Sequence, residues 1–333
     1  MRYKYKTAGH FFLWIKQSYI AVFIRIFFGK FLESFIYSKY MASFDMLRNP
    51  HKLKTHIIIK AHALEKGMSI GKTRLGFGKR KALELLNDME LYLSIGGDKQ
   101  FVEECCSIIK KYIEFNEQGG ADMEDIKGSY NLFSKKEDLS ILPYGGVSVL
   151  NHEDLLTKEK MSFDVFSQIR YSTRDFGDSP VDIKNIENAL KLCERTPSAC
   201  NRQSLHIHVY LNRDDINKLC NLQGGCKGFI DEMQGVILIC EKLTGYSSSE
   251  MNLPYVDGGL YAMNLMYALN FYDIASVPLT MGHKPHRNMK ILKEMNINLT
   301  EVPVLLIAFG SYKDKWRVAQ SHRKNWRDYT TFE

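Results

Sequence analysis

Hydrophobic and polar positions follow a helical period from residue 51 to about residue 135. Apolar residues recur three and four apart at Ile57, Ile58, Ala61 and Leu64, a spacing that predicts an amphipathic helix. Further helices are predicted over residues 81–93 and 101–115, and a Gly-Gly pair separates them. We therefore expect the first part of the chain to be mostly helical.

The periodicity fades over residues 116–160, where Gly, Asp, Lys and Asn are mixed. This composition predicts a linker, with a turn at Pro143-Tyr144-Gly145-Gly146. We place a domain boundary near residue 155. A helical extension and linker are thus expected over 1–155, and a second domain over 156–333.

The second half of the chain mixes helical and strand-like patterns. Helices are predicted over 163–169, over 183–193 behind an Asp182 cap, and over 258–271, and strands are predicted over 206–211, 235–240 and 303–309. The helix over 258–271 is apolar on nearly every face, which predicts a central, buried position. The order predicts an α+β fold, with an antiparallel or mixed sheet flanked by helices. No strand leads into a G-x-G-x-x-G turn as in a Rossmann unit.

Composition and charge narrow the class of protein. The length of 333 residues and the hydrophobic fraction of 45% suffice for two domains. Of the net charge of +7, residues 1–60 hold +9 (11 Lys and Arg against Glu33 and Asp45), which leaves −2 for the rest. Seven cysteines without a C-x-x-C pair predict reduced thiols and a cytoplasmic protein. No nucleic-acid partner is predicted.

Residues 11–36 are apolar and aromatic, with Phe11 and Trp14 near their start, but they also contain charged residues. A charge at the centre of a spanning helix costs about 2.5–3.5 kcal/mol, so this stretch is not expected to cross a membrane. It also lacks the cleavage site of a signal peptide. The favoured interpretation is a helix packed in a domain or dimer contact. The alternative is that residues 1–50 dock weakly on an anionic inner membrane face.

Several short motifs predict no separate chemistry. Residues 67–73 (GMSIGKT) are one residue short of a phosphate loop and follow no strand. His62, Glu65 and Lys66 share one helical turn and could line a pocket, but a solvated helix face is the favoured interpretation. No Ser/His/Asp order supports hydrolysis.

Two further histidine pairs are equally weak. His206 and His208 lie on one face of a strand, yet two histidines are too few for a structural zinc site. His283 and His286 are assigned to a solvated loop. The sequence therefore predicts no metal site.

An anion-binding cluster lies at residues 170–176, where Arg170, Tyr171, Ser172 and Arg174 stand close together. Two arginines there suit a phosphate, because an Arg–phosphate hydrogen bond is charge-assisted and can be bidentate. This segment resembles the opening signature of the nitroreductase family. The resemblance implies that these residues hold the FMN phosphate and the polar edge of the flavin.

Three later segments extend the resemblance over residues 163–333. The stretch 197–203 resembles the family segment that reaches a flavin across the dimer interface; its matching residues are Pro197, Ser198, Ala199, Asn201 and Gln203. The family's Pro-Trp after Gln is replaced here by Ser204-Leu205. Asp257-Gly258, predicted to open the long helix, resembles the family's central helix. Cys200 within the stretch is expected to be a small buried filler.

The other two segments come after the long helix. Residues 276–282 resemble the family loop whose backbone amide faces flavin N5, which implicates Pro278, Leu279 and the amides of Thr280 and Met281. Near the C-terminus, Arg323, with Lys324 as a substitute, resembles the basic residue that completes the phosphate site.

The resemblance implies an FMN-dependent oxidoreductase that is a homodimer with flavin sites at its interface. NADH or NADPH would donate hydride transiently, and a small organic acceptor such as a nitro compound or quinone would receive it; no catalytic side chain is assigned. The helical region is expected to shape the acceptor pocket. The 65–67 turn and residues 76–78 resemble longer members linked to bacterial surface polysaccharide synthesis. Two alternatives stay open: a non-enzymatic flavin-binding protein and a membrane-surface scaffold.

Overall fold

The computed structural model of the protein describes residues 18–40, 45–140, 142, 145–155, 161–246 and 250–333. Its α-helices are α1 (Tyr19–Tyr40), α2 (Pro50–Met68), α3 (Lys79–Ser94), α4 (Lys99–Gln118), α5 (Glu124–Lys136), α6 (Phe163–Gln168), α7 (Ile183–Leu192), α8 (Arg213–Gln223), α9 (Leu253–Phe271) and α10 (Pro285–Glu294). Its strands are β1 (Val147–Asn151), β2 (Leu205–Tyr210), β3 (Gly235–Lys242), β4 (Ile274–Thr280), β5 (Glu301–Ser311) and β6 (Lys315–Ala319).

Helices α2 to α5 pack around one hydrophobic core. Leu64 of α2, Leu85 of α3, Ile109 of α4 and Ile126 of α5 are all fully buried in it. The Asn49 side chain caps α2 by accepting a hydrogen bond from the Lys52 amide at 3.3 Å. The helical N-terminal region predicted from the sequence is confirmed.

Helix α5 lies in the segment that the sequence predicts to be a linker, so the linker prediction is wrong over this helix. Its buried residues are Ile126, Tyr130 and Phe133, spaced four and three apart. Gly128 and several polar residues stand between them and weaken the helical pattern. Three buried contacts with α3 and α4 outweigh that low propensity.

The second half is built on a four-stranded antiparallel sheet of order β2-β3-β5-β4. One face, with Ile237 and Phe309, packs against α7 and α9. The other, with Leu238 and Leu306, packs against α8 and α10. This three-layer arrangement confirms the predicted α+β class, and the three predicted strands and the Asp182 cap of α7 are present.

Strands β1 and β6 form a second, antiparallel sheet that joins distant parts of the chain. Val147 pairs with Ala319, and Asn151 pairs with Lys315. The sequence predicts β1 as linker because its five residues are too short to show a clear period. The predicted turn residues Pro143 and Tyr144 lie outside the described residues, as do 156–160 beside the predicted boundary, which stays a prediction.

Three elements differ from the sequence-based expectation, which treats proline and glycine as breaks. Residues 276–280, predicted as a loop, lie in β4, an edge strand that tolerates Pro278 because β5 alone, among the described strands, pairs with it. His286 lies in a helix, α10, whose first residue is Pro285, a favoured N-terminal position. Helix α9 begins at Leu253, so Asp257 and Gly258 lie inside it.

The composition of helix α9 predicts burial on every side, but the structure shows one exposed side. Its inner side is in the core, but Tyr255, Val256, Leu260 and Met263 are exposed. These four side chains form an apolar outer face on an otherwise packed helix, and we call it the α9 outer face. Within one copy of the chain, the described residues leave this face exposed.

Helix α1 exposes most of its described apolar side chains. Tyr19, Phe23, Phe27 and Phe31 follow one another four apart, with adjacent ring centroids 6.1–6.5 Å apart. All four are exposed, so the described part of α1 is not buried in the domain. Phe11 and Trp14 lie outside the described residues. Among the described helices, none combines the length and apolar character that a bilayer crossing requires.

Candidate functional site

A groove of about 1390 Å³ runs between the N-terminal helices and the second half of the chain. Its lining comes from α2 (His62, Glu65), α4 (Phe101, Glu104), residues 167–174, α9 (Met263, Tyr267) and residues 319–328. Pockets for small molecules usually measure roughly 300–1,000 Å³. The groove therefore has room for more than one ligand.

Two arginines line the groove: Arg174 is buried and Arg170 is half-buried. The Nη1 atom of Arg170 and the Nε atom of Arg174 are buried and have no hydrogen-bond partner among the described residues. Arg174 donates a hydrogen bond from Nη1 to the Ser172 carbonyl oxygen at 3.2 Å. Burial lowers the pKa of the Arg174 guanidinium to about 10, because a charge out of water is costly when unpaired.

The buried N–H groups of these arginines are suited to an anion. Burial also lowers the pKa of Arg170, and the nearby Arg323 guanidinium acts in the same direction. Two like charges held together gain most from a ligand with several negative oxygens. The donor set therefore fits a phosphate group.

The backbone around the arginines is fixed from both sides. The Thr173 amide donates to the Ser276 carbonyl of β4 at 3.0 Å, and Asp175 forms an ion pair with Lys313. Phe176 is 1% exposed and anchors the segment in the core. Tyr171 and Ser172 lie at the groove, and the four residues that follow them are buried.

Residues 319–328 bring the last predicted motif to the same groove. Ser321 has a left-handed backbone (φ 46°) that turns the chain, and Arg323 and Lys324 follow in the lining. The turn is held by the Gln320 amide, which donates to the Gly146 carbonyl at 3.2 Å. The first and last motifs, some 150 residues apart in sequence, thus meet at one site.

Helix α2 supplies a buried wall where the sequence favoured a solvated face, and that interpretation is wrong. Glu65 is 2% exposed, accepts from the Gly146 amide at 3.1 Å and lies 3.7 Å from His62 Nδ1. Lys66 is half-buried, and burial followed by the charge of Arg174 lowers its pKa. The alternative interpretation, that these residues line a pocket, agrees with the structure for His62 and Glu65 but not for Lys66.

The second motif lies outside the groove of its own chain. The Ala199 amide donates to the Asp257 carboxylate at 3.1 and 3.2 Å, and the Gln203 amide donates to Ser198 Oγ at 3.0 Å. Pro197, Cys200 and Gln203 are exposed. Cys200 is therefore not the buried filler that the sequence predicted, and the Asn201 side chain lies outside the described residues.

The backbone of this second motif is strained. Cys200 and Gln203 both have φ of 51°, a left-handed conformation that costs a residue with a Cβ atom about 1–2 kcal/mol. Asp257, from within α9, and a bidentate ion pair between Arg202 and Glu250 hold the loop in this shape. A rigid, exposed loop is suited to a ligand or partner beyond its own chain.

The third motif is next to the arginine cluster but faces the core with most of its side chains. Leu279 and Met281 are buried, Pro278 is half-buried and Thr280 is exposed. The hydrogen bond from Thr173 to Ser276 is what places this segment beside the first motif. Met281 can offer a ligand only its backbone, because its side chain is buried in the core.

Sequence reasoning missed the groove residues of α4 and α9, Glu104 and Tyr267 among them. His322 Nε2 lies 3.8 Å from Glu104, and Tyr267 contacts Phe163 and Phe166 of α6. The pattern marks these positions only as parts of helices. Their common location depends on helix packing, for which no local signal exists.

The sequence profile described as the nitroreductase family matches residues 168–224. This match includes the first two motifs and confirms the resemblance recognised from them. No curated protein matches the chain.

Solved structures similar to this chain each cover about half of it. A protein named as an NADH oxidase from Clostridium acetobutylicum has 22% identity and a TM-score of 0.41 over 45% of this chain and 91% of its own. An NAD(P)H:FMN oxidoreductase from Staphylococcus epidermidis has 18% identity and a TM-score of 0.46 over 52% and 96%. A nitroreductase in complex with FMN from Desulfovibrio desulfuricans has 15% identity and a TM-score of 0.44 over 51% and 95%.

Proposed function

Because residues 168–224 match the profile of the nitroreductase family, we propose that this protein is an FMN-dependent oxidoreductase. It takes hydride from NADH or NADPH and passes it to a small organic acceptor. The observation that carries the proposal is the pair of buried guanidinium nitrogens on Arg170 and Arg174 without a partner among the described residues. An FMN phosphate would satisfy both.

The first and last motifs would hold the cofactor. Arg170 and Arg174 would donate charge-assisted hydrogen bonds to the phosphate, and the exposed Arg323 would close over it from the groove rim. Tyr171 and Ser172 line the adjoining groove and would contact the polar edge of the flavin. FMN, when bound, supplies the two-electron chemistry, and the protein supplies position and electrostatics.

Backbone donors near β4 would adjust the electronics of the cofactor. Thr280 is the last residue of the edge strand that is hydrogen-bonded to the first motif, and Met281 follows it. An N–H donor there would favour negative charge on the ring without an acidic side chain. We assign no catalytic side chain.

A homodimer would complete the site. The second motif lies outside the groove of its own chain, although the resemblance assigns it to a flavin site. A second copy packed on the α9 outer face would place the strained 197–203 loop of one protomer at the groove of the other. Tyr255, Val256, Leu260 and Met263 offer the apolar surface that such an interface needs.

The acceptor would bind against the N-terminal helices. Their groove lining mixes Phe101 and Ile58 with His62 and Glu104, so it suits an aromatic or ring-shaped molecule that carries polar groups. Nitro compounds and quinones fit this description. A link to bacterial surface polysaccharide synthesis and a cytoplasmic location are also part of the proposal. The link rests on the 65–67 turn and residues 76–78, and Gly67 and Phe77 of these two segments pack on each other.

The visible absorption spectrum of the purified protein tests the proposal. We expect a flavin spectrum that bleaches on anaerobic addition of NADH or NADPH and returns with an added quinone. Bound flavin that neither donor reduces would favour the non-enzymatic alternative. Absence of flavin binding, even with added FMN, would contradict the site.

A second candidate role, docking on a membrane surface, is favoured by the aromatic stripe of α1. Exposed aromatics beside a basic N-terminal segment are typical of helices that lie at an interface. Binding to vesicles that contain anionic lipid should then weaken with added salt and be lost on deletion of residues 1–44. If the vesicles bind neither form at low salt, α1 is assigned to the dimer contact instead.

A further inference from the structure

A second polar cluster lies on the sheet, on residues that do not line the groove. His206 Nδ1 is 2.8 Å from Glu301 Oε1, and His208 Nε2 is 2.8 Å from Glu301 Oε2. The three donor atoms all lie within 4.8 Å of one another. Two imidazoles and a carboxylate therefore converge on one point.

The strand register explains how these residues meet. His206 pairs with Cys240 of β3, and on the other side of β3 Lys242 pairs with Glu301 of β5. Residues two apart on a strand share a face, so His206, His208 and Glu301 stand on the face that carries Cys240. That face also packs against α8 and α10.

Burial makes the carboxylate unusual. The Glu301 side chain is 4% exposed, whereas the side chains of His206 and His208 are 43% and 19% exposed. Each carboxylate oxygen of Glu301 lies 2.8 Å from one histidine nitrogen. A carboxylate buried to this extent is costly unless a cation or hydrogen-bond donors pair with it.

We propose that His206, His208 and Glu301 form a site for a divalent transition metal, best matched by Zn²⁺. Zinc takes imidazole nitrogen at about 2.0–2.1 Å and carboxylate oxygen at about 2.0–2.2 Å, so tetrahedral ligand atoms stand roughly 3.3–3.5 Å apart. The spacing observed here needs a small adjustment to reach that arrangement. Mg²⁺ and Ca²⁺ prefer oxygen ligands throughout and fit this donor set less well.

The fourth ligand would be water or the Cys240 thiol. The thiol is fully buried on the same face, and a thiol that coordinates a cation loses its proton. The exposed edge of His206 leaves a path for water instead.

The sequence could not identify this site because its third donor is distant. Glu301 lies 93 residues beyond His208, and only the pairing of β2, β3 and β5 brings them together. The proposal does not depend on the flavin assignment, since none of the three residues lines the groove.

Metal titration of the full-length protein, freed of metal by chelation and dialysis, tests the proposal. We expect one Zn²⁺ per chain by calorimetry and elemental analysis, with micromolar or tighter affinity. Co²⁺ in its place should give a visible spectrum typical of four-coordinate geometry beyond the flavin bands. A thiolate charge-transfer band would identify Cys240 as the fourth ligand, and its absence would assign water.

Variants separate the cluster from general effects. His206→Ala is at the surface and should fold; it and Glu301→Gln should each weaken Zn²⁺ binding at least about tenfold. The matched control is His286→Ala, an exposed histidine on α10, which should bind as the natural protein does. Circular dichroism reports folding, and flavin content reports the groove.

Two results would overturn the metal site. One is a natural protein that binds no stoichiometric Zn²⁺ at about 10 µM metal, well above the expected dissociation constant. The other is binding that His206→Ala and Glu301→Gln leave unchanged. Loss of flavin with normal Zn²⁺ binding would count against the proposed function alone.

Discussion

At the scale of single residues, Arg174 is the most direct test of the anion site. Replacing it with Gln removes the charge and leaves a shorter, polar side chain. A hydrogen bond to a charged group contributes about 1.5–3 kcal/mol, so FMN affinity should fall roughly 10- to 100-fold. Fluorescence titration of the flavin-free protein measures this loss.

The control for Arg174→Gln is Arg80→Gln on α3, where the side chain is 90% exposed and pairs with Glu84. It should leave FMN affinity unchanged, because exposed pairs contribute little. Equal affinities for the two variants would remove Arg174 from the phosphate site.

Glu241 gives the protein a pH-dependent stability. Burial, followed by the charge of Asp257, raises its pKa from 4.5 to about 7 although Tyr246 donates a hydrogen bond to it. Between these values the folded state holds a proton that the unfolded state has lost. The free energy of unfolding should therefore fall as the pH rises from about 4.5 to about 7.

Urea denaturation over this range, on Glu241→Gln and the natural protein, measures the effect. Glu241→Gln should show a flatter profile and greater stability above pH 7, the upper end of the range. Glu124→Gln, whose side chain is 81% exposed, should keep the natural slope. An unchanged slope in Glu241→Gln would place the titration elsewhere.

At the scale of elements, the contact between α2 and the loop before α3 sets the wall of the groove. Gly67 lies against the Phe77 ring so closely that an added Cβ would overlap it. Tyr112 of α4 donates to the Phe77 carbonyl and stacks edge-on against its ring at 5.2 Å. Gly67→Ala should cost about 1–3 kcal/mol through overpacking.

Gly128 of α5 provides a control of opposite sign. A Cβ there would meet nothing within 4 Å, so Gly128→Ala should stabilise the helix by about 0.5–1 kcal/mol. Urea unfolding followed by circular dichroism compares the two. If Gly67→Ala were as stable as Gly128→Ala, the packing of α2 on Phe77 would not contribute to the free energy of unfolding.

The pattern of the sequence predicts elements well where burial and period agree. Helices α3 and α4 carry clear apolar stripes, and strands β3 and β5 carry long apolar runs. Strand β4, helix α5 and helix α10 fail for local reasons: Pro278 on an edge strand, Gly128 inside a helix and Pro285 at a helix start. In each case the tertiary setting tolerates a residue that usually ends an element.

The candidate site was predictable in its chemistry but not in its enclosure. Arg170, Arg174 and Arg323 are recognisable because charged residues cluster within short segments. The walls from His62, Glu65 and Glu104 are not, because their helices meet the site only after packing. The sequence predicts a solvated Glu65, because nothing near it in sequence shows that the Gly146 amide will donate a hydrogen bond to it.

At the scale of the whole molecule, the α9 outer face predicts dimer-dependent flavin binding. A glutamate at Leu260, which is 47% exposed, would put a charge at the centre of the proposed interface. Leu260→Glu should be monomeric by analytical ultracentrifugation and should lose most of its FMN. Its circular dichroism spectrum should match that of the natural protein.

Leu132→Glu on α5 is the matched control, since this leucine is 74% exposed on another surface. It should stay dimeric and keep its flavin. A Leu260→Glu protein that stays dimeric would show that the α9 outer face is not the interface. A monomer with full flavin content would show that the 197–203 loop does not reach a partner's site.

The pairing of β1 with β6 has a consequence for biosynthesis. Strand β1 and the Gly146 carbonyl gain their partners only when residues 315–320 have left the ribosome. Until then the nascent chain can complete its helical core but lacks one wall of the groove. Under the proposed function, flavin would therefore bind only after residues 315–320 have been translated, and a chain that stops before them would bind none.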